Sequence, residues 1–263
     1  MDVPSEEAPL TVGIEVRFLN AITTLPSLVV VLSDGSPEIH TVTGTVTPYR
    51  PFTGRDIQVA LIRSRDSASA ARAESTAARA RNSTSLTPND SGAMGRTENA
   101  PDTLAVRREM LSGGGRYTII GMPSDDGAGV TLRIVADSIL PDTNVAQVRL
   151  IHAAALAGQF DLLLVGTKSA VFEGVSFANA TSFQRLAPSA SQRLALRQES
   201  RPDHPTTIPL IQRLDAGKAY TIVVAGNRDS WEAVLIRDDI ASALASRVHA
   251  SLIDSAPAKA GRR

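Results

Sequence analysis

The chain of 263 residues contains no cysteine. That excludes disulfides, thiolate metal sites, a cysteine nucleophile and a cysteine-linked lipid anchor. Aromatic residues make up 4%, with a single tryptophan, so a flat surface for stacking sugars or bases is poorly supplied. An excess of one charge is also missing: 27 basic side chains face 27 acidic ones, 13 against 16 through Leu140 and 14 against 11 beyond it. No field of one sign draws the whole chain to nucleic acid or anionic lipid. The longest apolar run, around Leu28 to Leu32, is far short of the roughly 18 residues of a membrane span, and the segment Met1 to Pro9 is acidic. The expectation is a soluble chain with no signal peptide visible.

What the sequence does hold is repetition, which sets the architecture. Val16-Arg17-Phe18-Leu19-Asn20-Ala21 matches Val148-Arg149-Leu150-Ile151-His152-Ala153, and Gly115 to Ile120 matches Lys218 to Val223. The offset is 132 residues at Val16/Val148 and 103 at Tyr117/Tyr220, so the first copy carries 29 more residues. Each copy holds about seven short runs rich in Val, Ile, Leu, Thr, Tyr and Phe, separated by Gly, Pro, Asp and Asn, as short strands and hairpins require. This predicts an all-β chain of two tandem Ig-like antiparallel sandwiches, at 12–142 and 143–240, with a terminal helix and tail at 241–263. The run Leu28 to Leu32 suits a central strand covered on both faces.

The extra residues lie at about 64–103. Asp66 to Asn82 is Ala-rich and free of Gly and Pro, favouring helix, whereas Ser83 to Pro101 reads as loop. After Asp238 and Asp239, whose carboxylates can cap a first turn, Ile240, Leu244, Val248 and Leu252 form an i, i+4 stripe.

Val148 to Ala153, Gly217 to Val224 and Leu235 to Asp239 together resemble the DUF 4397 family. The resemblance implies a bacterial extracytoplasmic, Ig-like β-sandwich module, commonly in tandem, with no assigned catalytic activity and no site residues to carry over. The chain departs from the family's S-P-D-A-P turn: Ala154 to Gly158 stands there in the second copy, and Asn20 replaces the preceding His in the first.

No catalytic constellation emerges. His40, His152, His204 and His249 are scattered, and His152 reads as a structural histidine at a strand end. Gly174-Val175-Ser176-Phe177-Ala178 lacks the final glycine of a nucleophile elbow, and Gly113-Gly114-Gly115 reads as a turn. Asp125-Asp126 and Asp238-Asp239 supply too few oxygens for Ca²⁺ on their own. Trp231 reads as a core or rim anchor. No cofactor, metal or nucleic-acid partner is expected. The favoured reading is a non-enzymatic structural or adaptor protein of the periplasm or cell envelope. It would dock as an extrinsic accessory subunit on a membrane-associated complex, for instance a respiratory or photosynthetic one. Candidate contacts are Arg65, Arg72, Arg79 and Arg81 of the insertion and Ile240, Leu244, Val248 and Leu252 of the helix. The alternatives are a module for glycans or peptides, which a groove of exposed aromatics would favour, and a hydrolase, which needs two titratable groups converging in one pocket.

Overall fold

The computed structural model describes residues 13–64, 102–166, 169–200, 206–207, 213–228 and 230–245. The first copy comprises β1 (Ile14–Asn20), β2 (Ser27–Leu32), β3 (Ile39–Val42), β4 (Arg50–Phe52), β5 (Asp56–Arg63), β6 (Thr103–Met110), β7 (Arg116–Pro123) and β8 (Val130–Ala136). The second comprises β9 (Ala146–Ala155), β10 (Phe160–Leu164), β11 (Ala170–Val175), β12 (Gln184–Leu186), β13 (Leu194–Gln198), β14 (Thr206–Thr207), β15 (Lys218–Asn227) and β16 (Trp231–Asp239). Sheet orders are β4-β1-β7-β8 and β3-β2-β5-β6 in the first copy, β12-β9-β15-β16 and β11-β10-β13-β14 in the second. Each order in the second copy is that of the first advanced by eight strands. Val16 pairs with Tyr117 and Val148 with Tyr220, so the two tyrosines hold the same register on equivalent strands. Their hydroxyls do the same work. Tyr117 accepts the Ser112 N–H at 2.9 Å and Tyr220 the Asp215 N–H at 3.0 Å, each closing the corner five residues upstream.

The sheets are not purely antiparallel, as the sequence had suggested: the central pairs β1/β7 and β9/β15 run parallel. Parallel strands are characteristically covered on both faces, and here that cover is a stacking of four layers. Val16, Phe18 and Ile119 face the β2/β5 sheet in one core, and Val148, Leu150, Ile222 and Val224 face the β10/β13 sheet in another. The opposite faces of the same strands meet in a third core, where Leu19, Ala21, Ile120 and Met122 pack against Ile151, Ala153, Val223 and Ala225. Every residue of β9 is therefore buried.

A helix begins at 240, where the Asp239 carboxylate accepts the Ser242 N–H at 2.9 Å and Lys218 Nζ donates to it at 2.6 Å. These bonds, the lysine first, hold the Asp239 carboxyl down at about 2. The expected helix at 66–82 and the loop after it lie outside the described residues. Leu150 is completely buried, so Leu150→Ala should cost about 2–5 kcal/mol in chemical denaturation; a loss near zero would mean its side chain is not in the core.

Candidate functional site

Two buried arginines and two aspartates meet inside the molecule, at the junction of the two sandwiches. Arg17 on β1 donates Nε to Thr118 Oγ1 of its own copy at 2.9 Å and both terminal nitrogens to Asp238 of the other copy at 2.8 Å. Arg149 on β9, its counterpart, donates Nε to Thr221 Oγ1 at 2.8 Å and a terminal nitrogen to Asp137 of the first copy. Each arginine thus bonds a threonine at home and an aspartate across the junction. An aromatic ring lies under each: Tyr49 at 4.3 Å from the Arg17 guanidinium carbon and Phe183 at 4.6 Å from that of Arg149.

Burial works against the charge of Arg17, but the Asp238 and Asp137 carboxylates outweigh it and raise its pKa above the ordinary value. Burial, with the Asp137 charge, pushes the Tyr49 hydroxyl up as well. Tyr49 therefore stays protonated and donates to Asp137 at 2.6 Å, beside Thr118 at 2.7 Å. These groups satisfy one another, and the arrangement is a clamp. Sequence reasoning missed it; the signal was an arginine and an aspartate at equivalent places in both copies. Asp137→Ala should cost about 3–5 kcal/mol, because it strands a buried guanidinium, as read from chemical denaturation.

One end of the molecule collects loops from both copies: β1–β2, β7–β8, β9–β10 and β15–β16. A cleft of about 170 Å³ opens there, lined by Ile22, Thr24, Leu25, Arg63, Ala155 and Asn227 among others. Among the described residues of the lining, Arg63 is the one titratable side chain, and those residues do not supply the convergence a hydrolase needs. Leu156, next to Ala155, has φ +60° and is 56% exposed. A left-handed backbone is costly for a leucine, and an exposed apolar side chain gains nothing from it. A second, shallow hollow holds Asp125 and Asp126 with Ser124 and Thr131. The Asp126 carboxylate is spent on its own turn, accepting from Ser124 Oγ at 2.5 Å and the Ala128 N–H at 3.0 Å. Among the described residues no group of three or more His, Asp or Glu could hold a metal ion.

The remaining candidates find structural places. His152 is buried; its Nε2 bonds to the Gly158 carbonyl at 2.7 Å and its Nδ1 to the Ala154 N–H at 3.2 Å. Accepting at Nδ1 requires the neutral ring, and burial lowers its pKa despite the Gly158 bond. Asn20 repeats the arrangement, with Oδ1 accepting the Ile22 N–H and Nδ2 donating to the Leu25 carbonyl, both at 3.0 Å. Trp231 donates to Gln198 at 3.1 Å and meets the Phe160 ring edge-on. Ile240 is fully buried against Ile139, Phe183 and Ala219, with Leu244 packed beside them. The first turn of the helix therefore covers its own chain, and Ile240 is not on offer to a partner. Arg65, Arg72, Arg79, Arg81, Val248 and Leu252 lie outside the described residues, as do His204 and His249.

Because folded His152 resists protonation, the unfolded chain binds more protons below pH about 6.5 and stability falls as pH drops through that value. His152→Asn, the first copy's own solution, should flatten this slope in denaturation midpoints measured between about pH 5 and 8. An unchanged slope would assign it elsewhere.

Fold and site define a tandem β-sandwich protein with a charge-clamped junction and a loop-lined cleft. Residues 146–260 match the DUF4397 family, a domain of unknown function, so the resemblance read from the sequence holds over the second sandwich. Comparison with curated proteins gives no match. Among solved structures, the chain has some similarity to the tip fimbrial protein Mfa3 from Porphyromonas gingivalis with C-terminal truncation, at 12% identity over 87% of this chain and 99% of that one, with a TM-score of 0.25. A protein from Bacteroides uniformis, provisionally described as a cell adhesion protein, gives 8% identity over 88% and 98%, with a TM-score of 0.27. Similarity at this level assigns neither function nor partner. Among the described residues, no helix is long and apolar enough to cross a membrane.

Proposed function

We propose that the protein is a non-enzymatic structural or adhesion module of the cell envelope that engages a protein partner through its loop end. The observation that carries this reading is Leu156, an apolar side chain held outward on a strained backbone at an end where loops of both copies meet. The turn itself is held by the bonds of His152 to Gly158 and of Gln198 to Ala157, but these do not require an apolar side chain at 156, and contact with a partner supplies a use for it. The clamp below supports the reading, because it fixes the two sets of loops against each other. Docking as an extrinsic subunit of a membrane-associated complex is the finer form of the proposal. The insertion arginines Arg65, Arg72, Arg79 and Arg81 are further candidate contacts, since Arg63 on the cleft wall brings the root of the insertion to the same end. A peptide side chain is the alternative occupant that the size of the cleft favours. Glycan stacking has less support, because Trp231 and Tyr49 are engaged by Gln198 and by Arg17 and Arg116.

Leu156→Gly separates folding from binding. Release of the left-handed strain should raise stability by up to about 1 kcal/mol. Cross-linking of the tagged full chain on native cells, followed by identification of the linked chain, should show the partner band weakened in the variant. A partner band of equal strength would remove Leu156 from the interface.

A further inference from the structure

Each copy ties down the connection that leaves its first inner strand with one buried polar side chain, and the two copies use different ones. In the first, Asn20 Oδ1 accepts the N–H two residues on, at Ile22, and Nδ2 donates to the Leu25 carbonyl, both at 3.0 Å. In the second, His152 Nδ1 accepts the N–H two residues on, at Ala154, at 3.2 Å, and Nε2 donates to the Gly158 carbonyl at 2.7 Å. The tie is the same and the chemistry is not. A carboxamide keeps its donor and its acceptor as pH falls, whereas an imidazole that gains a proton becomes a donor at both nitrogens. Protonated Nδ1 points a hydrogen at the Ala154 N–H, two donors with no acceptor between them.

What His152 holds is the turn from β9 to β10. Leu156 (φ +60°) and Gly158 (φ +75°) are both left-handed there, so the turn does not keep its shape by backbone preference alone. Gln198 Nε2 donates to the Ala157 carbonyl at 2.7 Å, and Glu199 accepts the Gln159 N–H at 3.3 Å. The turn reaches across the junction: a methyl group on Gly127 of the first copy would stand 3.5 Å from Leu156 Cδ1, and Ala155 and Gly127 both line the loop-end cleft. No charge compensates a proton on the ring. Phe160 of β10 and Phe177 beyond β11 meet it edge-on, and Val224 of β15 pairs with it. The charged groups on the surrounding elements are occupied elsewhere: Asp161 with Arg197, Glu199 with Gln159, and Glu232 beside Gly44 of the first copy. Burial therefore lowers the pKa of His152, with only the Gly158 bond opposing it.

We propose that the β9–β10 turn is a proton-operated latch on the loop end: neutral His152 keeps it closed against the first copy, protonation of His152 releases it, and the connection held by Asn20 stays closed throughout. The inference goes beyond the partner-binding reading and does not rest on it, since it concerns an equilibrium of the chain alone. Release is local, because Leu150 and Ile222 are packed deeper in the same core and take no bond from the imidazole. The closed turn excludes the proton and the open turn accepts it, so each pH unit below about 6.5 multiplies the open population by about ten. Acid thereby removes one wall of the cleft and leaves the other in place.

Amide hydrogen exchange of the full chain, followed by NMR and normalised to the rates of unstructured peptide, reads the latch at Ala154 and its control at Ile22. Between about pH 7.5 and 5 the protection of Ala154 should fall about ten-fold or more relative to Ile22, while Leu150 and Ile222 keep theirs. Trp231 gives a second readout. It is the only tryptophan, and it donates at 3.1 Å to the same Gln198 that holds Ala157, so its fluorescence should change over the same range. In His152→Asn both changes should disappear. A constant ratio of Ala154 to Ile22 protection overturns the proposal, as does persistence of the changes in His152→Asn. Parallel loss at Leu150 and Ile222 also overturns it and assigns the acid sensitivity to the whole sandwich. Should the variant not fold, the ¹⁵N shifts of the His152 ring in the unsubstituted chain replace it. The ring must then gain its proton over the pH range in which Ala154 loses protection, and separate ranges overturn the latch. No partner is present in any arm, so failure here leaves contact at Leu156 untouched, and an unchanged partner band in Leu156→Gly leaves this result standing.

Discussion

Exchange of carboxylates between the copies is the constraint on which the rest of the structure depends. Arg17 and Arg149 lie on central strands covered on both faces, where an unpaired guanidinium is not tolerated. Each finds its acid on the other sandwich. The apolar contacts of the junction, Leu19 and Ile120 against Ile151 and Val223, give adhesion without direction. The ion pairs add orientation, because a bidentate guanidinium–carboxylate pair is formed only when the two sheets are in register.

From that junction outward, the molecule becomes less alike between its halves. The two inner sheets repeat each other in register, tyrosine corner and turn geometry. Even the left-handed residue after the third strand is conserved in conformation, as Gly44 (φ +72°) in one copy and Ala178 (φ +61°) in the other. The outer sheets diverge: one carries Asp161 and Arg197 where the other carries Val29 and Ile62. The loop end diverges too, with Thr24 in one copy where Leu156 stands in the other. Specialisation has gathered at the periphery, where a change does not disturb the clamp.

Much of the fold was legible in the sequence because it depends on local signals. The alternation in Asp56 to Arg63, the turn Ser124 to Gly127 and the cap at Asp239 each specify their element over a few residues. The parallel central pairs and the stacking of the sandwiches were not legible, because they rest on partners distant in sequence. Arg17 in a strand reads as a solvent-facing residue, and nothing near it announces Asp238, 221 positions away. In Val16 to Ala21 the alternation does put Val16 and Phe18 on one core face, but Arg17, Leu19 and Ala21 opposite them do not announce the second sandwich that covers them. The cleft escaped for the same reason, being assembled from the ends of four connections. Leu156 was visible only as a departure from the family's turn.

The cross-wired clamp has a consequence for how the two copies can change over time. In an ordinary duplication each half drifts under its own constraints. Here a replacement at Arg17 alters what is required at Asp238, and one at Arg149 what is required at Asp137, while Tyr49 has become Phe183 and Asn20 has become His152 without altering the other half. Asp137 also lies 3.7 Å from Arg17, so the four positions form one network across the copies, and the chain evolves there as one unit despite being built from two.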